Sequence, residues 1–213
     1  MDLTGQGKLE ACKSGEYIKE LKLNINYFFS SFQLRAINTL KLIQDTLRDN
    51  KEPERAWQLN ERHYGVLTGL NKDEMTRKLG EDKIHEFRRS WDIKPDPLSR
   101  NNPYHPLNIE TYKKIPVEKI PDAESLKDTY ERVIKYYKSD IQNKLLKNKN
   151  IVISAHGNSI RALCKFLFKL DNKKISLLEI PTGNPLLINL NSKQEIIECK
   201  YLDKARAKDL LVF

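Results

Sequence analysis

The sequence predicts an α/β protein with three layers, α/β/α, around a mostly parallel sheet. Two observations support this prediction. Short apolar runs alternate along the chain with segments of helical periodicity, and the sharpest motif joins a strand directly to a helix. The 213 residues are enough to bury one substantial core. We therefore expect a single domain over residues 1–213, with an inserted cap or lid at about 70–121.

The first part of the chain begins with a helix and not with a strand. Residues 7–22 are moderately amphipathic with a weak point at Gly15, and a strand at 26–32 and a helix at 33–48 follow. An α/β domain usually opens with a strand that enters the sheet, so this beginning is unusual. The residues of the first helix that we expect to face a core are Leu9, Cys12, Ile18 and Leu21.

The middle of the chain has weaker patterns and then one strong helix. Two short helical patterns lie between residues 73 and 91, and six of the nine prolines fall between Pro95 and Pro121. That proline-rich stretch has no useful periodicity, and we interpret it as a long irregular lid over the sheet. The clearest helix of the chain follows at 122–147, where apolar residues mark one face throughout.

The last third returns to alternating strands and helices. The apolar run at 151–153 predicts a buried strand, and a helix capped by Asn158 or Ser159 extends to residue 168. The remaining predicted elements are a short helix at 175–178 and two strands at 185–190 and 195–201, and the tail at 202–213 stays unassigned.

Composition excludes several classes of partner. The formal net charge of +9 comes mostly from scattered lysines, with no arginine-rich block and no aromatic stripe of the kind on which single-stranded nucleic acids stack, so we expect no nucleic-acid partner. The three cysteines are too widely spaced for a disulfide framework or a zinc site, and we expect no metal. The chain has no bilayer-spanning apolar stretch and no signal-peptide core, so we expect a cytoplasmic protein without membrane binding.

The sharpest motif places a histidine at the end of a strand. His156, Gly157 and Asn158 follow the apolar run at 151–153 and precede a helix. Ligands of open α/β sheets bind outside the carboxyl ends of strands, where the free N–H groups of a helix N-terminus attract an anion. We interpret this turn as a phosphate or carboxylate site with an imidazole beside it. The alternative is a histidine that only satisfies backbone groups of the turn.

Arginines at two places are candidates for anion binding. Arg35 falls in the first turn of the helix at 33–48, where the helix dipole disfavours a cation, so it needs either a bound anion or a carboxylate partner in a salt bridge. Arg88 and Arg89 end the second short helical pattern. Adjacent arginines of this kind are more often solvated than functional.

A dense polar run at 57–65 contains a single carboxylate, Glu61, followed by Arg62, His63 and Tyr64. A general acid or base in this run would therefore be Glu61. In the alternative, Glu61 is paired with Arg62 or with another arginine.

Taken together, these motifs resemble the cofactor-dependent phosphoglycerate mutases of the histidine phosphatase superfamily. The matching segments occur in family order over nearly the whole chain, which makes them far more specific than one His-Gly-Asn. They are Leu-Asn-Glu-Arg-His-Tyr-Gly at 59–65, Gly-Leu-Asn-Lys at 69–72, Arg-Arg at 88–89, Glu-Ser-Leu at 124–126, Ala-His-Gly-Asn-Ser at 155–159, Arg-Ala-Leu at 161–163 and Ile-Pro-Thr-Gly at 180–183.

The resemblance implies an isomerase of glycolysis and gluconeogenesis that interconverts 2-phosphoglycerate and 3-phosphoglycerate, with 2,3-bisphosphoglycerate as phosphoryl donor and no metal. It implies catalytic roles for Glu61, as acid and base, and for His156, which contacts the phosphoryl group. Its partners are then a small phosphorylated substrate and, as a further expectation, a second copy in a homodimer. The substrate-binding positions that the resemblance implies are Arg35, Tyr64, Lys72, Arg88, Arg89 and Asn158.

One family element has no counterpart in these 213 residues. The resemblance implies a first strand that ends in Arg-His-Gly, whose histidine becomes phosphorylated, and none of the four histidines lies in such a motif. We expect the chain as written to be a feeble or inactive mutase, because losing the nucleophile can cost on the order of a million-fold in turnover.

The missing first strand also predicts two strands with unpaired edges in the sheet. An upstream start codon would reverse the expectation of weak activity. The alternatives are a non-catalytic homologue, either binding a phospho-ligand or a relic, and, with less support, a phosphatase on the same fold.

Overall fold

The computed structural model describes residues 2–71, 76–77 and 79–207, and the strands in this part of the chain form two sheets. The strands are β1 (Ile25–Ser30), β2 (Glu54–Arg55), β3 (Asn150–Ser154), β4 (Leu186–Leu190) and β5 (Ile196–Tyr201). The first sheet has the order β2-β1-β3 and its pairs are parallel, which confirms the predicted parallel sheet. β4 and β5 form an antiparallel pair.

Helices cover both faces of β1. They are α1 (Gly5–Glu20), α2 (Leu34–Leu47), α3 (Glu81–Arg89), α4 (Leu126–Tyr136), α5 (Gly157–Leu167) and α6 (Asn172–Leu177). α4 continues through a π-helical turn, Tyr137–Ile141, into a last helical segment, Gln142–Leu146. Single-turn 3-10 helices lie at Trp57–Leu59, Gly65–Leu67, Pro106–Asn108, Glu110–Tyr112, Val117–Lys119 and Ala205–Ala207.

Two clusters of buried side chains on opposite faces of β1 confirm the three-layer arrangement. Phe28 of β1 packs with residues of α1 and α2, and the neighbouring Phe29 packs against the helical segments after α4. Successive strand residues point to opposite faces, so these two phenylalanines anchor the two helical layers. The first cluster consists of Ile18, Ile25, Phe28, Leu40 and Ile43, and the second of Phe29, Ala56, Leu59, Tyr137 and Ile141.

β3 is less buried than the sequence predicts. The apolar run at 151–153 is half-buried, although an unbroken run of this kind is typical of a fully covered strand. β3 pairs only with β1, and β4 pairs only with β5, among the described strands. Each therefore has one edge without a strand partner in the described part of the chain, as β2 and β5 also do, and a strand at an edge keeps part of its surface open.

Two predicted helix starts are wrong. The helix expected from residue 122 begins at Leu126, because Ser125 and Asp128 form a capping box that fixes the N-terminus. The helix expected to be capped by Asn158 or Ser159 has His156 as its N-cap residue. Both of those polar side chains are instead used in tertiary hydrogen bonds.

The buried face of α1 also differs from the prediction. Leu9 is 67% exposed, and the buried residues are Ala11, Ser14, Gly15 and Ile18. A Cβ atom on Gly15 would lie 2.7 Å from the Cβ of Thr46 on α2, which is closer than van der Waals contact permits. Gly15 therefore allows α1 and α2 to approach each other, and the helix packs on a face of small residues.

The stretch at 95–121 contains three of the single-turn helices and places Leu98, Ile115 and Ile120 in buried positions. Its assignment as an inserted lid stays a prediction. The second of the two short helical patterns is α3, which confirms it, whereas residues 72–75 and 78 of the first lie outside the described residues, as does the tail at 208–213.

Candidate functional site

His156 lies where two parallel strands end side by side. It follows β3, and Ser31 follows β1. The two residues are neighbours because the pairing of Ser30 with Ser154 aligns the ends of the two strands. His156 is 8% exposed and its Nε2 atom lies 2.9 Å from the hydroxyl oxygen of Ser31. This contact fixes the orientation of the imidazole.

The imidazole of His156 is neutral at pH 7. Burial lowers its pKa to about 4, and the charge of Glu61 opposes this shift while the charges of Arg35 and Arg132 add to it. Because the charges of Arg35 and Glu61 both act on His156, the structure brings these three predicted residues to one region. A neutral imidazole has one N–H donor and one acceptor nitrogen; Nε2 is in contact with Ser31, which leaves Nδ1 for a ligand.

Arg35 is exposed in the first turn of α2, as the sequence predicts. Its guanidinium forms no ion pair and no hydrogen bond within residues 2–71, 76–77 and 79–207. The structure therefore gives no support to the salt-bridge alternative. A cation left at a helix N-terminus without a carboxylate partner is placed to meet an anionic ligand.

Asn158 connects Glu61 to Tyr64. Its side-chain amide donates hydrogen bonds of 2.9 Å to a carboxylate oxygen of Glu61 and of 2.8 Å to the hydroxyl of Tyr64. Its carbonyl oxygen accepts from Arg161 at 3.1 Å. Asn158 is only 5% exposed, so its three hydrogen bonds start from a buried amide and hold these side chains in one arrangement.

The alternative pairing of Glu61 with an arginine is not found in the described part of the chain. The carboxylate accepts the backbone N–H of Arg62 at 2.8 Å, but the guanidinium of Arg62 turns away and donates to the carbonyl oxygen of Phe87. The second oxygen of the Glu61 carboxylate accepts no hydrogen bond from a described residue. It is therefore free to exchange a proton with a ligand.

A cavity of about 160 Å³ opens beside this network. Arg89 reaches it and forms an ion pair there with Glu179, so it is not the solvated arginine of the alternative reading. His156 and Arg35 do not line this cavity, but Gly157 and Asn158, which directly follow His156 in the chain, do. The lining residues are Glu61, Tyr64, Arg89, Gly157, Asn158, Arg161, Glu179 and Ile180.

Two predicted substrate-binding positions are not fully covered by the structure. Lys72 lies outside the described residues, and only the backbone of Arg88 is described. The described residues contain no group of three or more histidine, cysteine or acidic side chains arranged to hold a metal ion. In the same part of the chain, no helix combines the length and the apolarity that crossing a membrane requires.

Several residues of the site are given no role by the sequence analysis. Arg161 lines the cavity at 4% exposure, and burial together with the charges of Arg89 and Arg62 lowers its pKa to about 10, so it stays charged at pH 7. Its spacing from Asn158, three residues along one helix, is a signal that could have found it. Ser31 and Glu179 carry no such signal, and neither does Gln33, whose side-chain oxygen accepts the backbone N–H of Glu61 at 2.9 Å, because only the fold brings them to the site.

The arrangement combines cations, helix N–H groups, a neutral imidazole and a carboxylate. The N-terminus of α5 offers the backbone N–H groups of Gly157 and Asn158 toward an anion. Arg35, Arg89 and Arg161 add positive charge around it. Anion binding with a carboxylate nearby to move a proton is what phosphoryl transfer to or from a hydroxyl requires.

Comparison with known proteins agrees with this chemistry. The family model described as "Histidine phosphatase superfamily (branch 1)" matches residues 1–105 and 99–201. A 2,3-bisphosphoglycerate-dependent phosphoglycerate mutase of Pelagibacter ubique (strain HTCC1062) is 80% identical over 213 residues, which are 100% of this chain and 90% of that protein. A protein of the same name from Maricaulis maris (strain MCS10) is 42% identical over 99% of this chain and 87% of its own length.

Solved structures of distant relatives share the fold. A mycobacterial glucosyl-3-phosphoglycerate phosphatase, in complex with VO3, has a TM-score of 0.65 at 19% identity and covers 94% of this chain and 85% of its own. The alpha-ribazole phosphatase from Shigella flexneri has a TM-score of 0.60 at 15% identity, with 91% and 80% covered. At such low identity these two structures support the α/β fold and nothing more specific.

Proposed function

This chain belongs to the histidine phosphatase superfamily (branch 1), and from that premise we propose that it is a phosphoglycerate mutase that depends on 2,3-bisphosphoglycerate. The observation that carries the proposal is the contact between Glu61 and Asn158 at the N-terminus of the helix that His156 begins. It places a proton-transfer group beside an anion site. The transfer of a phosphoryl group between two hydroxyl groups of one small substrate needs both.

The proposed roles follow from position and charge. Arg35, Arg89 and the N–H groups of α5 bind the phosphoryl and carboxylate oxygens of the substrate, with Tyr64 and Asn158 as further hydrogen-bonding groups. His156, as a neutral imidazole, donates the hydrogen bond of its one N–H group to a phosphoryl oxygen. Glu61 takes the proton from the substrate hydroxyl and returns it. Lys72 and Arg88 belong to the same proposal by sequence alone.

The residues fit an organic bisphosphate. Arg89 and Arg161 both border the cavity, and a compound with several negative charges needs this concentration of guanidinium groups. When bound, 2,3-bisphosphoglycerate supplies the phosphoryl group that starts the cycle. The cytoplasmic location and the homodimer expected from the sequence stay predictions.

The Arg-His-Gly motif of the family is not among these 213 residues, so the test compares two proteins. One is this chain, and the other is a chimaera that adds the part of the Pelagibacter ubique relative that the chain does not match. Both receive 3-phosphoglycerate and 2,3-bisphosphoglycerate, and 2-phosphoglycerate is measured. We expect rapid turnover by the chimaera, and by the 213 residues alone on the order of a million-fold less. A chimaera without turnover would overturn the proposal.

Ligand binding tests the site separately from turnover. We expect 3-phosphoglycerate to raise the melting temperature of the 213-residue chain, and Arg35→Ala or His156→Ala to abolish this rise. Lys41→Ala removes a charge from an exposed position of the same helix, α2, and should leave the rise intact. Binding that persists in a chimaera without turnover would favour the non-catalytic, ligand-binding alternative, and no binding at all would leave the relic.

A further inference from the structure

The segment that carries Glu61 is held by one buried ion pair from a distant part of the chain. Glu124 precedes the N-cap residue of α4, and Arg132 lies in the middle of that helix. Nε of Arg132 donates to one carboxylate oxygen of Glu124 at 2.6 Å, and Nη2 donates to the other at 2.9 Å. The Arg132 side chain is 10% exposed and that of Glu124 is 4% exposed, so this two-armed contact is shielded from water.

The two partners also bind the backbone around Glu61: Arg132 binds it before and at Glu61, and Glu124 binds it after Glu61. The guanidinium of Arg132 donates to the carbonyl oxygen of Gln58 at 2.6 Å and, more weakly, to that of Glu61 at 3.4 Å. The carboxylate of Glu124 accepts the backbone N–H of His63 at 2.9 Å, and the backbone N–H of Glu124 donates to the carbonyl of His63 at 2.8 Å. The pair therefore fixes the chain before, at and after Glu61.

We propose that Glu124 and Arg132 are positioning residues that hold the Glu61 carboxylate in its contact with Asn158 beside His156. Neither side chain lines the cavity, so they act through Glu61 and not on a ligand. The pair also explains why Glu-Ser-Leu at 124–126 accompanies the Glu61 segment: Ser125 starts the helix that carries Arg132, and Glu124 binds both. The effect on catalysis rests on the proposed mutase function, whereas the placement of Glu61 does not.

The fork of Arg132 is the feature to remove. Arg132→Lys keeps the positive charge but cannot bind Glu124 and two carbonyl oxygens in one plane. Glu124→Gln keeps the shape and an acceptor for His63 while it removes the negative charge, and it serves if Arg132→Lys does not fold. Arg100→Lys is the matched control, because Arg100 forms an ion pair with Asp122 at the surface with its side chain 56% exposed.

The side-chain amide of Asn158 reports the position of Glu61, since it donates to that carboxylate. In nitrogen-proton NMR spectra of the full chain, we expect Arg132→Lys and Glu124→Gln to move the Asn158 side-chain resonances toward their position in Glu61→Gln. Arg100→Lys should leave them in place. Unmoved resonances in both variants, with only a lower melting temperature, would reduce the pair to a structural role and overturn the inference.

Turnover gives a second readout in the chimaera described above. A displaced Glu61 should lower kcat about ten- to a hundredfold with little change in KM, and Arg132→Lys should add nothing in a Glu61→Gln background. Additive losses would contradict an action through Glu61. If the unmodified chimaera has no turnover while the Asn158 resonances still move, the mutase proposal fails and the positioning of Glu61 stands.

Discussion

The side chains of Glu61 and Asn158 meet at 2.9 Å although 97 residues separate them in the chain. The contact joins the polar segment after β2 to the N-terminus of α5. It makes the amide of Asn158 the centre of a network that also includes Tyr64 and Arg161. Several properties of the protein should respond to changes around this contact.

Replacing Asn158 with alanine should destabilise the protein. The change leaves partners of a residue that is only 5% exposed without their hydrogen bonds, and an unsatisfied buried polar group costs about 1–3 kcal/mol. Chemical denaturation measures the free energy of unfolding. Asn143→Ala, at an exposed helical position, should change it by less than about 0.5 kcal/mol. Equal losses in the two variants would mean that the network contributes nothing.

The stability of the protein should fall on acidification in a way that depends on His156. Burial lowers the pKa of His156 to about 4 in the folded state, below the unfolded value of about 6.5. The unfolded chain therefore binds the proton first, and stability is lost as the pH falls from about 7 toward 4. Between pH 7 and pH 5 the loss is about 2 kcal/mol.

Unfolding of the wild type and of His156→Gln across this pH range checks the prediction. Glutamine cannot take up the proton, so the variant should lose less stability on acidification than the wild type. Parallel curves for the two proteins would contradict a buried, neutral imidazole. A titration of His156 followed by NMR gives the same pKa directly.

Glu179→Gln should strengthen the binding of 3-phosphoglycerate. Glu179 holds Arg89 in an ion pair at the edge of the cavity, and its negative charge repels an anionic ligand. Removing that charge frees the guanidinium. We therefore expect the Kd measured by calorimetry to fall several-fold, which corresponds to a binding free energy more favourable by about 1 kcal/mol. Glu118→Gln removes the same charge from an exposed position and should have no effect. A higher Kd in Glu179→Gln would contradict this and show that the Glu179 carboxylate contributes to ligand binding.

Gly15→Ala should lower the stability of the protein in spite of the better helix propensity of alanine. The new Cβ would lie 2.7 Å from Thr46, and overpacking of this kind costs about 1–3 kcal/mol, more than the gain of about 1 kcal/mol from propensity. Gly5→Ala makes the same change in the same helix where nothing lies within 4 Å, and it should be neutral or slightly stabilising. A stabilised Gly15→Ala protein would refute the close packing of α1 on α2.

The sequence by itself determined the α/β class, the turn that carries His156, and the order of strands and helices apart from the short strand β2, which it did not predict. These features depend on local periodicity and on the change from a strand to a helix, which neighbouring residues encode. Their boundaries are less secure: the helix predicted from residue 122 begins four residues later, at Leu126, directly after the capping-box residue Ser125. The apolar run at 151–153 gave a strand, but its half-buried state depends on which strands lie beside it.

Only the tertiary structure decided how the candidate residues are used. The packing of distant side chains decides three results. Arg35 has no ion-pair partner in the described part of the chain, Arg89 pairs with Glu179, and Arg161 lines the cavity. The same applies to Glu124 and Arg132, whose charges look ordinary in the sequence. Hydrogen bonds and ion pairs across some 60 to 100 residues follow from the packing of whole elements, and local patterns contain no information about them.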